Sequence, residues 1–170
     1  MRSIPKADLI CRFFKPPGCS IGPGMSKRLI ADLASGALAE ALADIAEDAA
    51  RVILPYWRNG VVAETKADDS PVTRADREAE ALILDRLSTL YPGVQAVAEE
   101  QVAAEGAPAT LKEWFWLIDP LDGTRGFVEG RESYTVNIAL IHRDTPVAGV
   151  VTTPATDRKS TRLNSSHVLI

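Results

Sequence analysis

The spacing of apolar residues divides the chain into a helical part and a later, strand-rich part. Over residues 26–54, apolar positions recur at helical spacing, which predicts an amphipathic helix that ends or kinks near Pro55. Residues 60–71 are polar and predict a connection. Residues 73–76 have the form of a capping box, which predicts a second helix. That helix should stop at the Tyr-Pro-Gly breaker of residues 91–93.

Short apolar runs predict strands in the later part of the chain. The runs at 94–98, 114–118, 134–142 and 147–151 have the length or alternation of strands. Residues 101–111 are small and polar, which predicts a surface loop. Because helices come first and strands cluster later, we expect an α+β fold in which two helices pack on a largely antiparallel sheet.

Composition and charge restrict the class of protein. The 170 residues, 46% hydrophobic and 25% charged, suit one ordinary globular domain. The formal net charge of −4 argues against binding of nucleic-acid polymers, which normally requires a basic face. No apolar run approaches the roughly 20 residues that span a bilayer. We therefore expect a cytoplasmic protein in which Cys11 and Cys19 are free thiols. Loose attachment to the inner face of the membrane and the oligomeric state stay open.

The two ends of the chain differ from the part between them. Residues 1–24 make a poor secretory signal, since charged residues interrupt any apolar core. A clean pattern begins at Met25, so we expect the preceding residues to be disordered or to lie upstream of the true start. Residues 159–170 are serine-rich and lack periodicity. We expect a domain over residues 25–158, followed by a foreign tail joined to a truncated reading frame.

Two aspartates with D-x-x-D spacing follow a predicted buried strand and precede a Gly-Thr turn. Asp119 and Asp122 would supply the hard oxygen ligands that Mg²⁺ prefers, and the Leu121 carbonyl can serve as a third. Gly123 and Thr124 would present backbone N–H groups to a phosphate. The simpler interpretation is an Asx-turn at the end of a strand. The acidic net charge favours the metal, because bound cations are needed to attract an anionic phosphate.

Other polar residues could complete such a site. Adjacent side chains on an extended segment point to opposite sides, so of Glu99 and Glu100 we expect only Glu99 to face the metal. The alternative is a solvated pair at a loop entrance. Asp76 is mainly a helix cap by its local pattern, although it could accept a proton from Thr124 if the two meet in space. Lys66 could contact phosphate or be an ordinary surface lysine.

Four segments of the chain resemble the inositol monophosphatase superfamily and, within it, the bacterial 3'(2'),5'-bisphosphate nucleotidases. They are KADDSPVTRAD (66–76), AEE (98–100), WLIDPLDGT (116–124) and YTVNIALI (134–141). The resemblance covers roughly residues 26–158 and implies the N-terminal half of that superfamily's layered α/β sandwich. It implies a Mg²⁺-dependent phosphomonoesterase that converts adenosine 3',5'-bisphosphate, a by-product of sulfur assimilation, into AMP and phosphate.

The resemblance also implies roles for individual residues. Two or more Mg²⁺ ions would be held by four ligands: Glu99, Asp119, Asp122 and the Leu121 carbonyl. The phosphorylated substrate would meet Lys66 and the turn formed by Leu121, Asp122, Gly123 and Thr124. The catalytic residues would be Thr124, backed by Asp76, and Glu99. They would align a metal-activated water for in-line attack on phosphorus, without a phosphoenzyme.

Three alternatives stay open. The same superfamily contains phosphatases that act on inositol monophosphate or another sugar phosphate. This alternative stays open because the nucleotidases often have a basic-acidic pair after the threonine, whereas this chain has Arg125-Gly126-Phe127. A haloacid dehalogenase-type phosphatase carries D-x-D-G-T, one residue shorter than the motif in this chain. The third alternative is a truncated, catalytically inactive metal-binding fragment. The superfamily's C-terminal half, with a further metal-binding aspartate, is absent, and its absence would leave part of the sheet exposed.

Overall fold

Helices cover one face of a five-stranded sheet in the computed structural model, which describes residues 26–60, 64–65, 71–156 and 158–163. The arrangement confirms the predicted α+β fold with a largely antiparallel sheet. The long helices are α1 (Lys27–Ser35), α2 (Ala37–Asn59) and α3 (Arg74–Leu90).

The single helix predicted over residues 26–54 is wrong, because the structure has two helices there. Gly36 adopts a left-handed conformation, with φ of 89°, and ends α1, since glycine takes this conformation without steric cost. Pro55 does not end α2, which continues to Asn59. Tyr56 and Trp57 pack against the core on the last turns of α2, and this packing offsets the backbone hydrogen bond that proline removes.

The capping box predicted for the next helix is confirmed. The Ala75 N–H donates to the Thr73 hydroxyl at 3.1 Å, and the Thr73 N–H donates to Asp76 Oδ2 at 2.8 Å. Helix α3 ends at Leu90, directly before the breaker sequence of residues 91–93. Two orphan N–H groups at the helix start are thereby satisfied by side chains close in sequence.

The strands form two sheets. A hairpin pairs β1 (Glu64–Thr65) with β2 (Pro71–Val72) in antiparallel orientation. The main sheet consists of β3 (Gln95–Ala98), β4 (Trp114–Asp122), β5 (Thr135–His142), β6 (Thr145–Thr153) and β7 (Arg158–Leu163), paired in that order. Strands β3 and β4 are parallel, and all other neighbours in the main sheet are antiparallel.

Short helices follow two of these strands. Helix α4 (Glu99–Glu105) follows β3 directly, and α5 (Thr124–Val128) follows β4 after a single residue. The loop predicted at 101–111 is therefore wrong over its first half, and Glu99 and Glu100 lie on a helical turn, not on an extended segment. Among the described helices, none is both long enough and apolar enough to traverse a bilayer.

The last described strand lies in the segment predicted to be a foreign tail. Strand β7 pairs with β6 from Arg158 opposite Thr153 to Leu163 opposite Ala148. A strand was not expected here, because the segment lacks apolar alternation. The strand forms through backbone hydrogen bonds to β6, which do not depend on an apolar pattern in the segment itself. The foreign origin of residues 159–170 stays a prediction. The predicted disorder of residues 1–24 lies outside the described residues.

The hydrophobic core lies between the helices and one face of the main sheet. Helix α2 contacts β6, and α3 contacts β4. The largest fully buried side chains include Trp116 and Ile118 of β4, which face the helices. On the opposite face of the sheet, Leu117 is 48% exposed and Val151 is 47% exposed. Within the described residues this second face has exposed apolar side chains, in line with the expectation of an exposed sheet surface.

Candidate metal and phosphate site

Parallel pairing of two strands brings the candidate carboxylates to one end of the sheet. Ala98, the last residue of β3, pairs with Ile118 of β4. Glu99, the first residue of α4, and Asp119 of β4 directly follow this pair, so the pairing places them side by side. The Glu99 carboxyl group is close enough to Asp119 to raise the pKa of the Asp119 carboxyl group. The fold thus brings together two carboxyl groups that are distant in the sequence.

A β-bulge brings the second aspartate to the same side of the sheet. Asp119 pairs with Asn137 of β5, whereas Asp122 pairs with Thr135, so β4 has one more residue than β5 over this stretch. In a regular strand, residues three apart face opposite sides; the extra residue reverses this alternation. The Asn137 amide donates to Asp122 Oδ2 at 3.4 Å. The D-x-x-D spacing therefore requires the bulge to direct both carboxylates to one side.

Asp119 is the most strongly perturbed acid of the site. Burial raises its pKa to about 7, with further contributions from the negative charge of Glu99, the hydrogen bond to Glu99 and the charge of Asp122. A hydrogen bond from the Leu121 N–H to Asp119 Oδ1, at 3.2 Å, opposes the shift. This last contact is the Asx-turn of the simpler interpretation, so the turn is present together with the carboxylate pair.

Thr124 and Asp76 meet in the fold. The Thr124 hydroxyl lies 3.1 Å from Asp76 Oδ1 and 2.9 Å from the Leu121 carbonyl oxygen. The hydroxyl has one proton and can donate it to either acceptor. Asp76 is only 1% exposed and also accepts from the Thr73 hydroxyl at 2.5 Å. It therefore serves both as the helix cap that its local pattern indicated and as the partner of Thr124.

Burial raises the pKa of Asp76, although hydrogen bonds from the Thr73 hydroxyl, the Thr73 N–H and the Thr124 hydroxyl oppose the shift. These donors compensate part of the cost of removing the carboxylate from water. Asp76 thus links the start of α3 to the turn after β4, which fixes the Thr124 hydroxyl relative to the Asp119 end of the sheet.

Gly123 makes the turn between β4 and α5 possible. Its φ is +91°, and a Cβ at this position would lie 3.0 Å from the backbone oxygen of Ser133. We expect Gly123→Ala to lower the free energy of unfolding by about 2–3 kcal/mol, combining the left-handed strain with the steric contact. Gly130→Ala is the matched control, because Gly130 has a φ of +77° but nothing within 4 Å of the added Cβ. It should cost only about 1 kcal/mol, that is, the conformational strain alone. Urea unfolding measures both, and equal losses would contradict the close approach at Ser133.

The donor set fits Mg²⁺ even though it does not form a closed cage. Within the part of the chain that the structure describes, no group of three or more His, Cys, Asp or Glu side chains is arranged to hold a metal ion. Mg²⁺ seldom requires one, since it keeps several waters and binds through one or two carboxylates together with substrate phosphates. The neighbouring Glu99 and Asp119 carboxyl groups supply such oxygens, and a cation between them would relieve the repulsion that raises the Asp119 pKa.

The structure brings most of the residues selected from the sequence to one region. Glu99 and Asp119 are in contact, Asp122 lies on the same side, and the Thr124 hydroxyl bonds to Asp76. Lys66 lies outside the described residues. Glu80 was missed: its buried carboxylate binds the first turn of α4. The sequence feature that could have identified Glu80 is its position four residues after Asp76. This spacing places a second acidic residue on a helix face that is otherwise apolar.

The chain is similar to known proteins in sequence and in fold. The chain is 46% identical to the 3'(2'),5'-bisphosphate nucleotidase CysQ of Salmonella typhimurium over 91 residues, which are 52% of this chain and 36% of the relative. It is 38% identical to histidinol-phosphatase of Mycobacterium tuberculosis over 122 residues, 72% of this chain and 45% of the relative. The extragenic suppressor protein SuhB of Bartonella henselae superimposes with a TM-score of 0.65 at 28% identity, over 76% of this chain and 49% of that chain.

The chain thus spans less than half the length of each of these proteins. The model of the inositol monophosphatase family matches residues 36–167, which include every candidate site residue. That match and the shared fold lead to one conclusion: the chain belongs to the inositol monophosphatase family.

Proposed function

We propose that this chain carries the metal and phosphate site of a Mg²⁺-dependent phosphomonoesterase that hydrolyses the 3'-phosphate of adenosine 3',5'-bisphosphate. The products would be AMP and phosphate, so that the enzyme recycles a by-product of sulfur assimilation. The observation that carries the proposal is the approach of Glu99 to Asp119, near the hydrogen bond from the Thr124 hydroxyl to the buried Asp76. Family membership supports phosphoric monoester hydrolysis, and the identity to CysQ supports the nucleotide substrate.

Glu99, Asp119, Asp122 and the Leu121 carbonyl would hold Mg²⁺, as two or more ions in the whole enzyme. When bound, the metal supplies positive charge that attracts the phosphate and makes water easier to deprotonate near neutral pH. The residues of the chain then have separate tasks. The backbone of the turn from Leu121 to Thr124 would bind phosphoryl oxygens, and Lys66 is proposed as a further contact.

Thr124 would orient the attacking water. When Asp76 is ionised, its Oδ1 accepts a hydrogen bond from the Thr124 hydroxyl, and the lone pairs of Thr124 Oγ1 can then accept a hydrogen bond from water. Water oxygen forms the new bond to phosphorus and releases one proton, the bond from phosphorus to the 3'-oxygen breaks, and that oxygen takes up one proton, so that the protons balance. No phosphoenzyme is required, because water itself is the nucleophile.

Two further candidates remain, and the relatives support the first of them. The match to histidinol-phosphatase covers more of this chain than the match to CysQ, so another phosphate ester, including inositol monophosphate or a sugar phosphate, is the alternative substrate class. The other alternative is a chain that binds Mg²⁺ without turnover. Localisation in the cytoplasm and attachment to the inner membrane face stay predictions.

The proposal is tested by incubating the purified 170-residue chain with adenosine 3',5'-bisphosphate and Mg²⁺ and measuring phosphate release. Inositol monophosphate and histidinol phosphate serve as competing substrates. Release from the nucleotide that stops on chelation of the metal supports the proposal. Faster release from either competitor assigns the alternative substrate, and calorimetric Mg²⁺ binding without release supports the inactive module.

Thr124→Val should lower the turnover rate by about 100-fold or more, because the isosteric side chain removes the hydroxyl that orients water. Mg²⁺ affinity should stay within about threefold, since Thr124 is not a proposed metal ligand. Thr124→Ser keeps the hydroxyl and is the control; it should retain most of the activity. Turnover and calorimetric Mg²⁺ titration measure the two effects. Full activity in Thr124→Val would remove Thr124 from the catalytic step.

A further inference from the structure

One face of α3 carries two buried carboxylates. Asp76 is in the first turn of this helix, and Glu80 follows four residues later and is 5% exposed. Residues four apart lie on the same helix face, separated by a rise of about 6 Å. Asp76 binds the Thr124 side of the candidate site. The second carboxylate reaches a different element at the Glu99 side.

Glu80 caps the start of α4. Its Oε2 accepts from the Glu100 N–H at 2.7 Å, and its Oε1 accepts from the Gln101 N–H at 2.8 Å. The residue at the helix's own N-cap position, Ala98, has no side chain that could cap it. Both oxygens of the Glu80 carboxylate are thereby used on backbone groups that directly follow Glu99. Hydrogen bonds between an ionised carboxylate and backbone N–H groups are about twice as strong as neutral ones.

The direction of Glu99 depends on this turn. Glu99 is exposed, and it is the first residue of a short helix that joins β3 to a surface segment. A seven-residue helix is not stable by itself, so its orientation must come from tertiary contacts. The two bonds to Glu80 fix the backbone immediately after Glu99, and the pairing of β3 with β4 fixes the backbone before it.

We propose that Glu80 is a positioning residue that holds the start of α4 and thereby keeps the Glu99 carboxylate beside Asp119 for metal binding. This inference rests on the proposed function of Glu99 as a Mg²⁺ ligand. Glu80 touches neither metal nor substrate; it acts through the backbone of Glu100 and Gln101. Helix α3 then aligns the two sides of the site from a single face, through Asp76 and through Glu80.

The test measures Mg²⁺ affinity of the 170-residue chain by calorimetry, well below the unfolding temperature, in Glu80→Gln and Glu80→Ala. We expect affinity about 10-fold weaker in Glu80→Gln, which keeps one acceptor oxygen, and up to about 100-fold weaker in Glu80→Ala, in the range typical of residues that orient metal ligands. Glu78→Gln is the matched control, because Glu78 lies on the same helix but bonds to Tyr56 and Arg74. It should leave affinity unchanged. Normal affinity in folded Glu80→Gln would overturn the proposal.

A double-mutant cycle separates positioning from a purely structural role. If Glu80 acts through Glu99, then Glu80→Gln should have little further effect on Mg²⁺ affinity when Glu99→Gln is already present. Additive losses would contradict this coupling. If the wild-type chain binds no Mg²⁺, the proposed function fails, and hydrogen exchange then decides the role of Glu80. Faster exchange of the Glu100 and Gln101 amides in Glu80→Gln, at unchanged global stability, supports the positioning of α4, and unchanged exchange refutes it.

Discussion

Asp119→Asn is expected to weaken Mg²⁺ binding by at least about 100-fold and, in the same protein, to raise the stability of the metal-free chain at neutral pH. The first effect follows from the loss of a proposed metal ligand. The second follows from the environment of Asp119, where burial and the neighbouring Glu99 and Asp122 carboxylates raise its pKa to about 7. A neutral amide removes this repulsion. The two effects have opposite signs, which an ordinary structural aspartate would not produce.

The stability gain of Asp119→Asn should depend on pH. In the unfolded chain an aspartate has a pKa of about 3.9. Because the pKa of Asp119 is higher in the folded chain, the folded state binds more protons between the two values, and its free energy of unfolding falls as pH rises. The destabilisation is absent below the unfolded pKa and complete above about 7. Since Asp119 is partly exposed and solvent screens the repulsion, we expect Asp119→Asn to gain about 1–2 kcal/mol at alkaline pH.

Urea unfolding in the presence of a chelator, at pH 4 and pH 8, measures the stability effect, and calorimetry measures Mg²⁺ affinity. Asp122→Asn is the control, because Asp122 is exposed and its charge is a smaller cause of the raised Asp119 pKa than burial or Glu99; it should weaken Mg²⁺ binding with a clearly smaller gain in stability than Asp119→Asn. The interpretation of the carboxylate pair is wrong if Asp119→Asn is less stable than the wild type at pH 8. Normal Mg²⁺ binding by Asp119→Asn would remove this residue from the metal site.

Trp116→Ala should lower the free energy of unfolding by about 3–5 kcal/mol, a large part of the stability of a typical domain. Trp116 is 1% exposed, and its ring centroid lies 5.7 Å from that of Tyr91. Its Nε1 has no hydrogen-bond partner among the residues that the structure describes, so the loss comes from packing and from the resulting cavity. Denaturant unfolding followed by circular dichroism measures the change.

Leu117→Ala is the matched control for this prediction. Leu117 is the next residue of β4 and points to the opposite, half-exposed face of the sheet, so its truncation should cost less than about 1 kcal/mol. Similar losses at the two positions would mean that both faces of the sheet are covered in solution. That result would contradict the one-sided packing of helices on the sheet.

Local sequence patterns predicted the features whose causes are local. The capping box at Thr73, the stop after Leu90 and the apolar alternation of β5 each depend on residues within a few positions of one another. The helix end at Gly36 could have been predicted, because glycine commonly ends helices. It was missed because the apolar spacing continues across Gly36. Helix α4 was not predictable in the same way, since its cap, Glu80, comes from another helix.

The sequence by itself determined the chemistry of this protein: two aspartates at D-x-x-D spacing, a glutamate after a short strand, and a Gly-Thr turn. The tertiary structure alone decided that these groups meet. The parallel register of β3 and β4 places Glu99 beside Asp119, and the bulge in β4 directs Asp122 to the same side. Thr124 forms its hydrogen bond with Asp76, a residue 48 positions earlier in the chain. Strand register and helix packing are set by contacts between distant parts of the chain, and a local pattern of residues does not specify them.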